Sequence, residues 1–208
     1  MPLGGDTPVK RRAGKRDEDV ALRRRSILDA AVLCFGEHGY HGTSLRDVAS
    51  RAQVSLGGLV HHYPEKAALL EAVLDRRDER RADVYAWDVV DGLTFLRNVL
   101  AVAEDDLTDR AQVAMNAVLT AEASAADHPA HEYIARRYRK LRSGIERALQ
   151  DLAERGLLRD PSVPVGVQAS RLLAASDGSL LQWLHEPGAV DHVAALRAHI
   201  DSYLTTAL

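Results

Sequence analysis

The sequence predicts an all-α fold of about nine helices, and three observations carry that prediction. Apolar residues recur at three- and four-residue spacing along nearly the whole chain. No segment shows the apolar–polar alternation of a half-buried strand. Hydroxyl caps, glycines and prolines fall between the periodic segments, where helices start and stop. A chain of 208 residues also has ample material for a core.

The elements follow in order. Residues 1–18 hold Gly, Pro, Lys, Arg and Asp with almost no large apolar side chain, the composition of a disordered basic arm. After Asp19, the spacing of Ile27, Ala30, Ala31, Cys34 and Phe35 marks a first helix, stopped by Gly39. Thr43 and Ser44 offer a cap to a second, and Asp47 stands three residues after Ser44 as in a capping box. Leu45, Val48, Ala49 and Ala52 form its apolar side. Gln53-Val54 makes a turn, and Ser55 caps a third helix that runs to His62. Pro64 suits the first turn of a fourth, where its missing N–H costs nothing. That helix starts with Leu69, Leu70, Val73 and Leu74, and is heavily charged over residues 76–81. Asp91-Gly92 breaks it. Further helices are marked by Leu93, Leu96 and Leu100, by Val113, Val118 and Leu119, and by the long run from Tyr133 to Leu152 ending at Gly156. A loop over 157–164 precedes the last two, 167–184 and 190–204, which Glu186-Pro187-Gly188 separates.

Composition narrows the function. The net charge of −3 divides into +3 over residues 1–70 and −6 over residues 71–208. A basic N-terminal third on an acidic body fits a polyanion met by that third alone, or a solubilising tail. The single cysteine, Cys34, excludes an intramolecular disulfide and cysteine-rich zinc sites, and suits a reducing compartment. No apolar run resembles a signal peptide or a membrane span, so a soluble, cytoplasmic protein without a membrane partner is expected. No nucleophile elbow, phosphate loop or zinc motif is present, so neither an enzyme nor a cofactor is expected. His61 and His62 are neighbours on a helix and point about 100° apart, a poor geometry for sharing one metal ion.

The two short helices 44–52 and 55–62, joined by a tight turn, have helix-turn-helix proportions. A plain helical hairpin has the same outline. The hydroxyl caps, the basic arm and the scarcity of large apolar residues in the second helix favour DNA. The stretch "ILDAAVLCFGEHGYHGTSLRDVASRAQVSLGGLVHHYPEKAALLEAVL", Ile27 to Leu74, resembles the DNA-binding domain of the TetR family of transcriptional regulators. Helix lengths, Gly39, Thr43-Ser44, Val54-Ser55, Tyr63-Pro64 and Lys66 fall in register with it. Later, "DHPAHEYIARRYRKLRSGIERAL" and "AASDGSLLQWLHEPGAVD" are similar to one C-terminal variety of that family.

The resemblance implies a homodimer on a palindromic double-stranded DNA operator, and a larger C-terminal domain holding a small-molecule effector. It implies a regulator, most often a repressor, that the effector releases. The alternatives are an effector-independent DNA-binding regulator or an all-α enzyme. The division is then a basic arm (1–18), a helix-turn-helix domain (19–63) and a ligand-binding and dimerisation domain (64–208).

Candidate DNA-binding residues are Thr43, Ser44, Arg46, Gln53, Ser55, Leu56, Gly57, Gly58, His61, His62, Tyr63 and Lys66. Thr43, Ser44, His62, Tyr63 and Lys66 are assigned to phosphates. Arg23, Arg24 and Arg25 can reach phosphates or form a solvated helix face. Leu56 stands where many relatives carry lysine, and Val60 where they carry tyrosine, so base readout is sparse and partly apolar. Gly57 and Gly58 each cost about 1 kcal/mol of helix stability relative to alanine, and allow close approach to base edges. Candidate effector residues are Trp87, Phe95, Met115, Asn116, Leu119, Tyr133, Tyr138 and Asp177. Core packing is the other reading of the aromatics, and solvent exposure or an interhelical hydrogen bond that of Asn116 and Asp177. The dimer face implied by the resemblance is Leu172, Ala175, Gly178, Ser179, Leu180, Trp183, Ala195, Leu196 and His199.

Overall fold

A computed structural model describes the backbone of residues 8–84 and 91–208, and the side chains of residues 18–80 and 91–208. Among the described residues there are nine helices: α1 (Pro8–Gly42), α2 (Leu45–Arg51), α3 (Leu56–His62), α4 (Lys66–Val84), α5 (Gly92–Asp106), α6 (Arg110–Glu122), α7 (His131–Glu154), α8 (Val165–His185) and α9 (His192–Asp201). No described helix is long and apolar enough to cross a membrane.

The caps act as their sequence suggests. The Ser44 hydroxyl accepts the Asp47 N–H while the Asp47 carboxylate accepts the Ser44 N–H, a complete capping box. Ser55, Asp91, Asp109 and Asp191 cap α3, α5, α6 and α9 in the same way, each accepting a backbone N–H three residues on.

The start of α1 differs from expectation. The helix begins at Pro8, inside the stretch whose composition suggests disorder. Lys, Arg, Glu and Asp do not oppose a helix already nucleated downstream, and each added residue then contributes a hydrogen bond. Helical geometry breaks at Gly39, whose φ of 71° lies in the left-handed region that only glycine enters freely.

Two cores are formed. The first joins Ile27, Phe35, Val48, Leu59, Leu69 and Leu70 of α1–α4 to Met115 and Leu119 of α6 and Ile134 of α7. Gly36 lies at the α1–α6 crossing, where a Cβ would stand a tight 3.2 Å from the Met115 backbone nitrogen. The second core lies among α5, α7, α8 and α9, around Phe95, Leu96, Leu149, Leu152, Leu172 and Leu196. Helix α6 therefore belongs to the same core as the helix-turn-helix.

Candidate nucleic-acid interface and internal cavity

Helix α3 is anchored by one side chain. Leu59 is fully buried in the first core, with Tyr63 closing the helix beneath it. The opposite face is open: Leu56 and Val60 are each 38% exposed, and Gly57 and His61 are exposed beside them. Nothing lies within 4 Å of where a Gly57 Cβ would be, so another molecule can approach that backbone. Before α3, Gln53 adopts φ 57°, an uncommon conformation for a residue with a side chain, and turns the chain between the two helices. Arg46, Gln53 and Ser55 are exposed near this turn. His62, at the end of α3, is half-buried. Burial keeps its imidazole below the ordinary pKa of 6.5, and His61, Arg24 and Arg23 add repulsion, so α1 brings its arginines to the C-terminal end of α3.

Several residues assigned to phosphates have roles within the fold. Thr43 is buried, and its hydroxyl donates to the Gly39 carbonyl at 2.7 Å, with the Cys34 carbonyl 3.0 Å away. The Ser44 hydroxyl is consumed by its capping box, donating to Asp47 at 2.6 Å. Tyr63 is buried with its hydroxyl unpaired. Lys66 is the clearest case. Its ammonium donates to the carbonyls of Tyr40 at 2.6 Å and Thr43 at 2.8 Å, and stands 4.3 Å over the Tyr40 ring. It locks the α1–α2 turn to the start of α4, a role that sequence register alone does not distinguish from phosphate contact.

The Tyr40 backbone is held from the other side by α6. Glu122, the last residue of α6, accepts the Tyr40 N–H at 2.7 Å. Its carboxylate lies 3.7 Å from Nε2 of the buried His128 and occupies the space a Cβ at position 39 would need. Gly39 is thus favoured by its φ, and a side chain there would also displace the Glu122 carboxylate from the Tyr40 N–H.

A cavity of about 100 Å³ opens among α4, the end of α5, α6, α7 and α8. It brings together three of the candidate effector residues, Asn116, Tyr138 and Asp177. The Tyr138 hydroxyl donates to the Asp177 carboxylate at 2.6 Å, and burial, reinforced by that bond and charge, pushes its pKa up to about 12. The other candidates lie elsewhere. Phe95 is buried in the second core, and Met115 and Leu119 in the first. Tyr133 packs on the first core and donates to Asp78 at 2.7 Å. Trp87 lies outside the described residues. Arg77, Asp106, Thr120, Arg137, Leu181 and Leu184 line the cavity unanticipated. Arg77 sits in the charged run of α4, where nothing in the pattern distinguishes a buried arginine from its solvated neighbours.

The candidate dimer residues also divide. Leu172, Leu196 and Trp183 are buried within the chain, and Ser179 is buried with its hydroxyl 2.8 Å from His192 Nδ1. His199 pairs with the Tyr203 hydroxyl at 2.6 Å. Leu180 faces the cavity. Ala175 and Gly178 are half-buried, and Ala195 is exposed. The outer face of α8 instead carries Val167, Ala174 and Leu181, with 44% of Val167 and 46% of Leu181 exposed; α9 adds Ala194, Ala195 and Ala198.

Comparison with known proteins agrees with this geometry. Residues 27–73, from the first buried isoleucine of α1 to the middle of α4, match the family "Bacterial regulatory proteins, tetR family". The HTH-type transcriptional repressor Rv1474c of Mycobacterium tuberculosis is 34% identical over 100 residues, which are 47% of this chain and 52% of that one. The chain thus spans about half the length of that relative. The regulator TtgR of Pseudomonas putida is 28% identical over 198 residues, covering 90% of this chain and 92% of its own. Among solved structures, SmeT, the repressor of the Stenotrophomonas maltophilia multidrug efflux pump SmeDEF, shares the fold with a TM-score of 0.63 at 22% identity, over 88% of this chain and 90% of its own. Residues 27–73 thus match the helix-turn-helix of the tetR family of bacterial regulatory proteins, and the described helices share the fold of SmeT.

Proposed function

We propose that this chain is a ligand-responsive transcriptional repressor that binds a palindromic operator as a homodimer. Residues 19–63 read the DNA, and residues 64–208 bind the effector and pair the subunits. The observation that carries this reading is α3: anchored by Leu59 alone, it presents Leu56, Gly57, Val60 and His61 outward. A helix so placed can enter a major groove, with Leu56 and Val60 packing on thymine methyls. Arg46, Gln53, His62 and the α1 arginines are left to meet phosphates and groove edges.

Helix α6 supports the ligand response. It contributes Asn116, Ala117 and Thr120 to the cavity, and its end holds the Tyr40 N–H through Glu122. A ligand that moves α6 therefore acts on the turn that sets α2 and α3. SmeT, which shares the fold, forms a complex with triclosan. For pairing, Val167, Ala174 and Leu181 on α8 and the alanines of α9 form the unpartnered face. A two-fold axis there sets two reading helices about one DNA turn apart.

The experiment is selection of bound DNA from a random pool, followed by competition with candidate ligands. Enrichment of a palindrome that a ligand releases supports the proposal. Failure to enrich any palindrome defeats it.

A further inference from the structure

The cavity has a chemical bias of its own. Its walls carry two guanidiniums, Arg77 from α4 and Arg137 from α7, and two carboxylates, Asp106 and Asp177. By charge alone these cancel, but their engagements differ. Asp177 accepts the Tyr138 hydroxyl at 2.6 Å. Asp106 and Arg77 each have a partner already. Arg137 is half-buried and, among the described residues, makes no hydrogen bond or ion pair. Its donors form a planar fork suited to a two-oxygen acceptor. Both Arg77 and Arg137 act on the Tyr138 and Tyr133 phenols, lowering their pKa values against burial, so the two cations converge on the α7 wall. Val113, Leu180, Leu181 and Leu184 supply an apolar wall. The volume of about 100 Å³ is somewhat below that of a cavity that admits benzene, about 150 Å³.

We infer that the effector is a small aliphatic monocarboxylate, its carboxylate on the Arg137 fork and its alkyl group against Val113, Leu180 and Leu184. The inference rests on the reading of this cavity as the effector site. Arg77 and Asp106, each already with a partner, leave Arg137 as the cation open to a ligand. The Tyr138 hydroxyl keeps Asp177 from repelling the anion, since a carboxylate that accepts a strong hydrogen bond projects less charge into the cavity. A cation would find the two acidic groups already occupied, and a neutral ligand would leave the Arg137 fork unmatched.

The test compares three probes of nearly equal size on the full chain: butyrate, butyramide and n-butylamine. Direct binding is read by calorimetry and by thermal stabilisation through mass action. Butyrate should bind, with the amide and the amine weaker by about tenfold or more. Arg137→Gln should cost butyrate about tenfold in affinity while leaving butyramide binding unchanged, and Arg137→Lys should retain part of the preference. Helical circular dichroism and Tm of the unliganded variants check the fold. If Arg137→Gln does not fold, the comparison of the three probes on the natural chain still decides. Equal or tighter binding of the amine or the amide overturns the inference, as does no binding of butyrate at millimolar concentration. Operator release is measured separately. Butyrate that binds without releasing DNA leaves the ligand assignment standing and defeats the ligand-responsive reading. Release by an amine or a neutral compound does the reverse.

Discussion

Lys66 illustrates how a side chain expected at phosphates can already serve the fold. Its two carbonyl bonds make it a clamp on the Tyr40–Thr43 turn. Lys66→Ala is therefore expected to lower stability by about 1.5–3 kcal/mol, as for charge-assisted hydrogen bonds, together with operator affinity. Denaturation and DNA binding measured on the same variant check it; unchanged stability with lost affinity would return Lys66 to the phosphates. Histidines set a second expectation at this scale. Burial is the leading cause that holds His62, His128, His192 and His199 below 6.5. For His192 it outweighs the opposing pull of Asp106, Asp191 and Asp177. The unfolded chain then binds more protons than the folded one in mildly acid solution, so stability rises with pH across that window. This contribution is complete above 6.5 and is lost as pH falls below it. Tm should drop between about pH 7.5 and 5.5, and His192→Gln should flatten that slope relative to the unchanged chain.

At the scale of elements, α3 has seven residues and one deep anchor. A helix this short is unstable alone and borrows its order from the core. Leu59→Ala is expected to cost about 2–5 kcal/mol and to abolish operator binding, as read by chemical denaturation and a gel-shift assay. Retained binding with that loss of stability would show that α3 is not the reading element. Helix α6 yields a different expectation. Glu122→Ala removes the acceptor of the Tyr40 N–H just beyond the α6 residues that line the cavity, without changing a lining residue. Ligand affinity should stay as it was while the ligand loses leverage over DNA, with coupling reduced by about 1–3 kcal/mol. Comparing ligand affinity with and without operator gives that coupling directly, and an undiminished value would rule out this contact as the link.

For the whole molecule, the decisive question is which face of α8 and α9 remains after the chain has folded. Leu172, Leu196, Ser179 and Trp183 are used within the chain, leaving Val167, Ala174 and Leu181 with the α9 alanines. Ala174→Glu places a charge at the centre of that stripe without disturbing either core. It should shift the protein from dimer to monomer in analytical ultracentrifugation and weaken operator binding, while Tm of the monomer stays measurable. A dimer unaffected by this change would place the pairing surface elsewhere.

The sequence by itself determined the helices and their caps, because those depend on spacing and on contacts three or four residues away. The capping box of Ser44 and Asp47, the cap at Ser55 and the stop at Gly39 are all local events. It also carried the helix-turn-helix, whose residues lie in one continuous stretch. Tertiary structure alone decided what each side chain faces. Periodicity marks an apolar face but does not say whether that face meets its own chain or a partner, and so Leu172 and Leu196 look like interface and prove to be core. The cavity joins Arg77, Asn116, Arg137 and Asp177, which are separated by up to a hundred residues in the chain. Their meeting follows from how α4, α6, α7 and α8 cross. Crossing is set by long-range packing, which leaves no local signature.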